Sequence, residues 1–504
     1  MKKKLVGIVI ASAVFLAPVS AFAQKRVKNG EEAQKTGTQL LLEEADSSET
    51  PVVITLDQAL EIALSENISV KVADMEIQRT GYAKKGTYAS LFPQIDISGA
   101  YQRTIKKQVM YMDFDPSALG GGQGSTGEGS GEGSGEGSGE GSSEGSAGGA
   151  AAMKNGLEVG RWNTWSAGVS ASMPLVNAQL WKSIKISGMD VELAVEKARS
   201  SRLNTVTQVK NAYYSTLLAK EAFNVYKEVY DNAVKNLEET QKKFDAQKVS
   251  EFELIRSKTT VANAIPQVYD AESSVILALW QLKAVMGVDL DLNLDIAGKL
   301  DDYSAQMLYD LNPEDGISLA NNSTMRQLAI QAEQLAANIK LQRYANIPTL
   351  ALGFNFSFNA MTNDFNFSEY KWTPYSYVGL SLSIPIFAGG KRHNNIRQAK
   401  NQYEQLQLSV KDTERQLQIG IRQNLNTMET NMKSYYAAEE AVASAQKAYD
   451  IAEKSYQVGR STLIELNDAQ LALTQARLAQ SQAVYNFVVA KAQLEQTLGQ
   501  DFIE

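Results

Sequence analysis

The chain carries one pattern twice. Phe92-Pro93 returns as Ile347-Pro348, Ser170-Ala171-Ser172-Met173-Pro174-Leu175 as Ser381-Leu382-Ser383-Ile384-Pro385-Ile386, and Phe244-Asp245-Ala246-Gln247-Lys248 as Tyr456-Gln457-Val458-Gly459-Arg460. The three offsets are 255, 211 and 212 residues. The last two agree, so the stretch after the second proline has nearly one length in both copies. The first copy holds 44 more residues between its two prolines. A period this long means one architectural unit used twice. It replaces the two or three unrelated domains that 504 residues would otherwise suggest.

Within each copy the hydrophobic period changes. Ile95, Ile97, Gly99 and Tyr101 alternate with Asp96, Ser98, Ala100 and Gln102; Trp165, Ala167, Val169, Ala171 and Met173 alternate with Ser166, Gly168, Ser170 and Ser172. In the second copy Leu350, Leu352, Phe354, Phe356 and Phe358 alternate with small or polar residues, as do Val378, Leu380, Leu382 and Ile384. Period two predicts four strands, each apolar on one face. A soluble sandwich would alternate in the same way. The polar face here, however, is serine and glycine rather than lysine and glutamate, and aromatics (Tyr101, Trp162, Trp165, Trp372, Tyr375, Tyr377) crowd the strand ends. Strands of outer-membrane barrels have this pattern. Four strands are too few to close a barrel, which needs about eight, so several chains must contribute; three would supply twelve.

Two proline-free stretches follow, Val176 to Lys243 and Gly390 to Ser455. A helix of about 66 residues spans roughly 100 Å. Each leads through a short turn to a second predicted helix, Ser250 to Met286 and Thr462 to Leu498. Ile396, Tyr403, Val410 and Leu417 recur every seven residues beside a row of small residues from Ala399 to Ala448, as in packed coiled coils. A second stripe, Ile421, Leu425, Met428, Met432 and Tyr435, suits another neighbour. A plain antiparallel coiled-coil rod explains the heptads but not the strands. Thr55 and Gln58 form a capping-box pattern opening a short helix, and Asp315 to Asn321 holds the corresponding place in the second copy. Pro266 is expected to kink its helix.

The N-terminus reads as a secretory signal over 1–23: Lys2-Lys3-Lys4, an apolar run, then Ala21-Phe22-Ala23. Loss of its three lysines takes the net charge from -8 to -11, and no basic nucleic-acid footprint remains. Residues 24–54 read as a disordered periplasmic tail, 55–297 as repeat one and 298–504 as repeat two. The tract 117–150, with Glu128, Glu132, Glu136, Glu140 and Glu144 four apart among Gly and Ser, is expected to be a solvated loop. With no cysteine and one histidine, His393, the chain lacks the inventory for a Cys/His metal cluster. It also lacks a phosphate-binding glycine loop. No cofactor, metal or enzymatic chemistry is expected.

The order of elements, the prolines at strand boundaries and the segment Tyr456-Gln457-Val458-Gly459-Arg460-Ser461-Thr462-Leu463-Ile464-Glu465-Leu466-Asn467-Asp468 resemble the TolC-type outer-membrane efflux and secretion channels over about Thr55 to Gly499. The resemblance implies a mainly α fold with a β portion. Three chains would share a 12-stranded transmembrane barrel in the outer membrane, continued by a periplasmic helical barrel. It implies a homotrimer contacting outer-membrane lipid, a periplasmic adaptor and an inner-membrane transporter as partners, and a gate at the helical tip. Tyr456, Val458 and Gly459 match that family's tip pattern. Glu465 and Asp468 fall on its two acidic positions, with Glu in place of the usual Asp at the first. Arg460 precedes the family's arginine position, which Ser461 occupies. Val458 and Gly459 lie where adaptor contacts would form.

Glu465 and Asp468, three apart, share a helical face. Three copies would ring an opening with six carboxylates, raising their pKa values and attracting cations. A solvated acidic turn is the plainer alternative, and Glu251 and Glu253 in the first copy are weaker candidates. Gly459 is the helix breaker whichever reading holds. Besides the gated conduit, a structural or adhesive coiled-coil surface protein and an ungated diffusion porin remain as alternative functions.

Overall fold

The computed structural model describes residues 51–110, 157–308 and 318–500. The expected signal 1–23, nearly all of the tail 24–54 and the loop 117–150 lie outside the described residues, as do the first three residues of Asp315–Asn321. In chain order the elements are β1 (Val52–Ile54), α1 (Leu56–Glu66), α2 (Ile68–Ala89), β2 (Gln94–Arg103), β3 (Gln108–Met110), β4 (Leu157–Val159) and β5 (Asn163–Val176), then α3 (Ala178–Asp245) and α4 (Glu251–Met286). There follow β6 (Leu294–Ile296), a 3-10 segment Leu300–Leu308, α5 (Ser323–Tyr344), β7 (Thr349–Thr362), β8 (Thr373–Ser383), α6 (Lys391–Gln457) and α7 (Leu463–Leu498). The proline-free stretches are single helices of 68 and 67 residues. Among the described residues no helix is long and apolar enough to cross a membrane.

One unit comprises the described residues of Gly188–Ala336, those before Ala83 and those from Asn401 onward. Its core joins Ile54, Ile62, Tyr213, Met286 and Phe487, all but closed to solvent. β1 and β6 pair in parallel, Val52 opposite Leu294 and Ile54 opposite Ile296. This corrects the expected disorder over 24–54, because Val52–Ile54 is a strand. Three residues are too few to show a period, and their partner lies in the other half of the chain. Residues 318–322 form a turn rather than the short helix expected there. Thr55 and Gln58 do form the capping box that starts α1. The stripe at Ile421 and Met428 is buried within this one chain, with Met432 and Tyr435 packed beside it. Pro266 lies inside α4 without ending it.

The same joint occurs twice in this unit. α4 ends at Gly287 and α7 at Gly499, both left-handed, with φ of 81° and 67°. Gly287 abuts the backbone of Glu66 and Asn67, and Gly499 that of Asn321 and Asn322, leaving no room for a Cβ. Asn67 Nδ2 donates to Val285 O at 2.7 Å while its Oδ1 accepts from Ser69 N. Asn322 Nδ2 donates to Thr497 O at 2.7 Å and its Oδ1 accepts from Met325 N. Each asparagine therefore caps the start of one helix and satisfies a last-turn carbonyl of another, groups that a helix leaves unpaired at its ends.

The second unit, Ala83–Ser187 with Ala337–Lys400, holds an antiparallel sheet in the order β2-β5-β7-β8. Its register aligns Ile95, Ala171, Phe354 and Val378 in one row, and Asp96, Ser170, Asn355 and Tyr377 in the next. Successive rows alternate faces, so the apolar residues of all four strands share one face. That face is open: Ile97 is 84% and Val378 70% exposed. Among the described residues the outer edges of β2 and β8 have no partner. The short β3–β4 pair prolongs the first hairpin beyond the expected strands. Pro174 lies inside β5 rather than at its boundary, where the pairing register shifts before Val176.

Candidate functional site: the turns between paired helices

Both long helices end in the same hydrogen-bonded turn. In the first, Ala246 N bonds Lys242 O, Gln247 N bonds Phe244 O and Lys248 N bonds Lys243 O. In the second, Val458 N bonds Lys454 O, Gly459 N bonds Tyr456 O and Arg460 N bonds Ser455 O. These 6→1 and 5→2 bonds define the Schellman ending, which needs a left-handed residue. Gly459 fills it with φ 76°, as its role of breaker requires; Gln247, with φ 57°, is the only non-glycine of positive φ among the described residues. Ser250 then caps α4 by accepting from Glu253 N, and Thr462 caps α7 by accepting from Glu465 N.

The two turns differ in side-chain chemistry. Tyr456, at the position of Phe244, is buried with Tyr449, Leu463, Leu466 and Leu473. Its hydroxyl lies 2.6 Å from Thr240 Oγ1. Thr240 already donates to Asn236 O, so Tyr456 is the donor of the pair. Burial, ahead of all other causes, raises the Tyr456 pKa and keeps the phenol protonated. Lys243 Nζ donates to Tyr456 O at 2.6 Å and stands 4.1 Å from the centre of its ring. Hydrogen bond and cation–π contact thus hold the end of α6 against the end of α3.

Glu465 accepts from Thr462 N at 3.0 Å and from Ser461 Oγ at 2.5 Å, completing a capping box. The Ser461 hydroxyl, then the Thr462 amide, hold its carboxyl below the ordinary value. Within one chain this is the opposite direction to the upward shift expected of a carboxylate ring. The Glu465 side chain bends back to the cap, and Asp468 is exposed, its carboxylate without a hydrogen bond or ion pair among the described residues. Arg460 is exposed, and among the described residues its side chain makes no hydrogen bond or ring contact to Tyr456; Thr240 and Lys243 make those contacts. Val458 is 69% exposed at the turn. His393 is exposed in the first turn of α6, and no described group of His, Asp or Glu could hold a metal ion. Sequence reasoning missed Thr240 and Lys243. A lysine in the last turn of a helix is the ordinary complement of the helix dipole, so nothing singled it out before its contact was visible.

The model of the outer membrane efflux protein family matches residues 59–288 and 316–500. The chain is 21% identical over 335 residues to the alkaline protease secretion protein AprF of Pseudomonas aeruginosa, covering 66% of this chain and 69% of that protein. It is 19% identical over 354 residues to the outer membrane protein TolC of Escherichia coli, covering 67% and 70%. Its fold is similar to the crystal structure of the Campylobacter jejuni CmeC outer membrane channel, with TM-score 0.64 and 18% identity over 90% of this chain and 89% of that one.

Proposed function

The chain belongs to the outer membrane efflux protein family, and from that premise we propose that three copies form a gated conduit serving efflux or type I secretion. As a family member it is a transport protein of the outer membrane, not an enzyme. The observation that carries the fuller reading is the sheet of the second unit: four strands, one apolar face left open, and two unpaired edges. Strand edges pair and apolar faces are covered. β2 and β8 of neighbouring copies would close a 12-stranded barrel whose exposed rows meet lipid. The two halves of the chain then act as structural repeats, each adding one strand pair and one long helix pair, and the helices continue as a periplasmic tube. The matching asparagine and glycine joints support that pairing of halves.

The turns after α3 and α6 would form the periplasmic end. There Glu465 and Asp468, repeated three times, would line the entrance; Tyr456 would hold it closed, with Arg460 on the outside of the turn. Exposed Val458 beside Gly459 offers an adaptor a small apolar contact. No energy-coupling motif is present in the sequence, so an inner-membrane transporter would supply the drive, and opening would be a two-state movement of the helix ends.

Single-channel recording of the purified protein in a planar bilayer tests this, with a Glu465→Gln/Asp468→Ala variant beside wild type; Gln keeps an acceptor for Thr462. A small, cation-selective conductance blocked by divalent ions in wild type, with both properties lost in the variant, is expected. A large conductance indifferent to the variant would replace the gated conduit by a diffusion porin. Inserted trimers that never conduct would leave the coiled-coil structural protein.

A further inference from the structure

We infer that the hairpin end of the sheet is a binding surface for the phosphate-bearing headgroup of an outer-leaflet lipid. The inference rests on the proposed barrel and on the strands' direction within it. α3 follows β5 and α6 follows β8, so a periplasmic helical portion leaves the opposite ends of the strands, at Arg103, Asn163 and Thr362, facing the outer leaflet.

Those three residues are paired across the sheet, Arg103 with Asn163 and Asn163 with Thr362. They close the apolar face just beyond Tyr101 and Trp165, which are themselves paired. The rings of Tyr101 and Trp165 lie 4.3 Å apart, and Phe367 from the β7–β8 connection packs 4.8 Å from Trp165. The connection is held down by one carbonyl, Asp364 O, which accepts from Asn163 Nδ2, Thr362 Oγ1 and the Tyr370 hydroxyl. Phe365 and Phe367 nevertheless remain 54% and 55% exposed. A fixed, half-covered aromatic shelf at the end of an apolar face is what the boundary between acyl chains and headgroups demands.

Cations rim this shelf. Arg103 stands 5.9 Å over the Phe365 ring and Lys107 stands 4.8 Å over the Trp162 ring. Among the described residues neither makes a hydrogen bond or an ion pair with a carboxylate. Lys106 and Arg161, on the same stem, make none either. The described acids of the neighbouring connection are Asp364, whose carboxylate accepts from Asn366 N, and Glu369. Arginine on the apolar face, with no anion beside it among the described residues, calls for one from outside. A membrane supplies it at this depth as a lipid phosphate, held by the guanidinium fork and the ammonium together. Acyl chains of the same molecule would lie along Tyr101, Ile97 and the exposed phenylalanines, which a free anion would not use.

The test reconstitutes the full chain in phosphatidylcholine nanodiscs carrying a minor share of either bis-phosphorylated lipid A or its dephosphorylated form. Native mass spectrometry then counts the lipids retained on the protein. Wild type is expected to favour the phosphorylated form by roughly thirtyfold, two surface cations each giving about fivefold. Arg103→Gln/Lys107→Gln should bring the two forms near parity while the protein still inserts, and Arg103→Lys/Lys107→Arg should restore the preference. Equal retention of both forms by inserted wild-type protein overturns the inference and leaves the proposed channel standing. Loss of the preference in the charge-conserving variant overturns it too. Inorganic phosphate displacing the lipid at comparable concentration overturns the lipid in favour of a free anion. Failure to insert in any bilayer overturns the channel itself and the inference with it.

Discussion

Removing the Lys243 ammonium while keeping its stem, as Lys243→Met, isolates the contact that ties α6 to α3. The hydrogen bond to Tyr456 O at 2.6 Å involves a charged donor, for which about 1.5 kcal/mol is the lower end of the usual range. The cation–π contact at 4.1 Å adds about 0.5 kcal/mol at a site only partly removed from water. Together they contribute about 2 kcal/mol, or roughly thirtyfold in an equilibrium. If opening parts these helix ends, Lys243→Met raises the open-to-closed ratio by that factor. Tyr456→Phe keeps the ring under the ammonium but removes the donor to Thr240, at about 1 kcal/mol and roughly fivefold. Lys243 and Tyr456 are in direct contact, so the double variant should depart from the product of the two, and the departure measures their coupling. Open probability in planar bilayers measures all three, with Arg460→Ala as the contrast. If Lys243→Met gates like wild type while Arg460→Ala opens the channel, the lock lies between chains through Arg460 and the reasoning from Lys243 is refuted.

The left-handed turn positions give opposite outcomes for opposite substitutions. Gln247→Gly should stabilise by up to about 1 kcal/mol in denaturant melts by relieving positive φ, and Gly459→Ala should destabilise by about 1 kcal/mol through φ alone, since nothing lies within 4 Å of its would-be Cβ. Gly287→Ala should lose more, because a Cβ there comes 2.8 Å from Asn67 Cα. Asn67→Ala and Asn322→Ala should each destabilise by about 2 kcal/mol, and by similar amounts, as each orphans a carbonyl and a helix start. The Glu465 cap is pH-dependent in one direction: its folded pKa is lowered, so its support is complete above the ordinary carboxylate range and is lost as pH falls through the depressed value. The protection factors of the first-turn amides of α7, with intrinsic exchange divided out, should fall at acid pH in wild type and stay level in Glu465→Gln.

Periodic features were legible before any coordinates. Alternation identified all four strands of the sheet, and absence of proline set both long helices to within a few residues, because backbone preferences repeat along many residues and add. Ser250 and Thr462 were readable as helix starts for the same local reason. What escaped were short or distant partnerships. Val52–Ile54 pairs with Leu294–Ile296 across the length of one repeat, and three residues carry no period. Pro174 reads in the sequence as a boundary because proline usually lies outside ladders, yet it sits where the register slips. Glu465 reads in the sequence from the family's tip pattern and from its spacing to Asp468. The capping box at Thr462-x-x-Glu465 was equally visible in the sequence, and the short-range hydrogen bond decides where the carboxylate points.

The two turns show why a duplicated backbone can still divide its labour. The three hydrogen bonds that close each long helix are the same pair for pair, so the repeat reproduces the shape of each helix ending. Chemistry separates them. The first has Phe244, which can only pack, and a strained Gln247. The second has Tyr456, whose hydroxyl and carbonyl are bonded to Thr240 and Lys243, and an unstrained Gly459. A tie made of a few polar contacts can be exchanged for water when the helix ends part, at a net loss of a few kcal/mol. A tie made by apolar burial is lost only by exposing its whole area. The polar tie between α6 and α3 is therefore the contact whose exchange for water would release the helix ends in the proposed opening. Exchanging the two residues, Phe244→Tyr with Tyr456→Phe, should leave the fold intact but weaken closure, since the hydroxyl that donates to Thr240 comes from the second position. Conductance of that exchange variant matching wild type would show that the identity of the turn, and not its polar tie, sets closure.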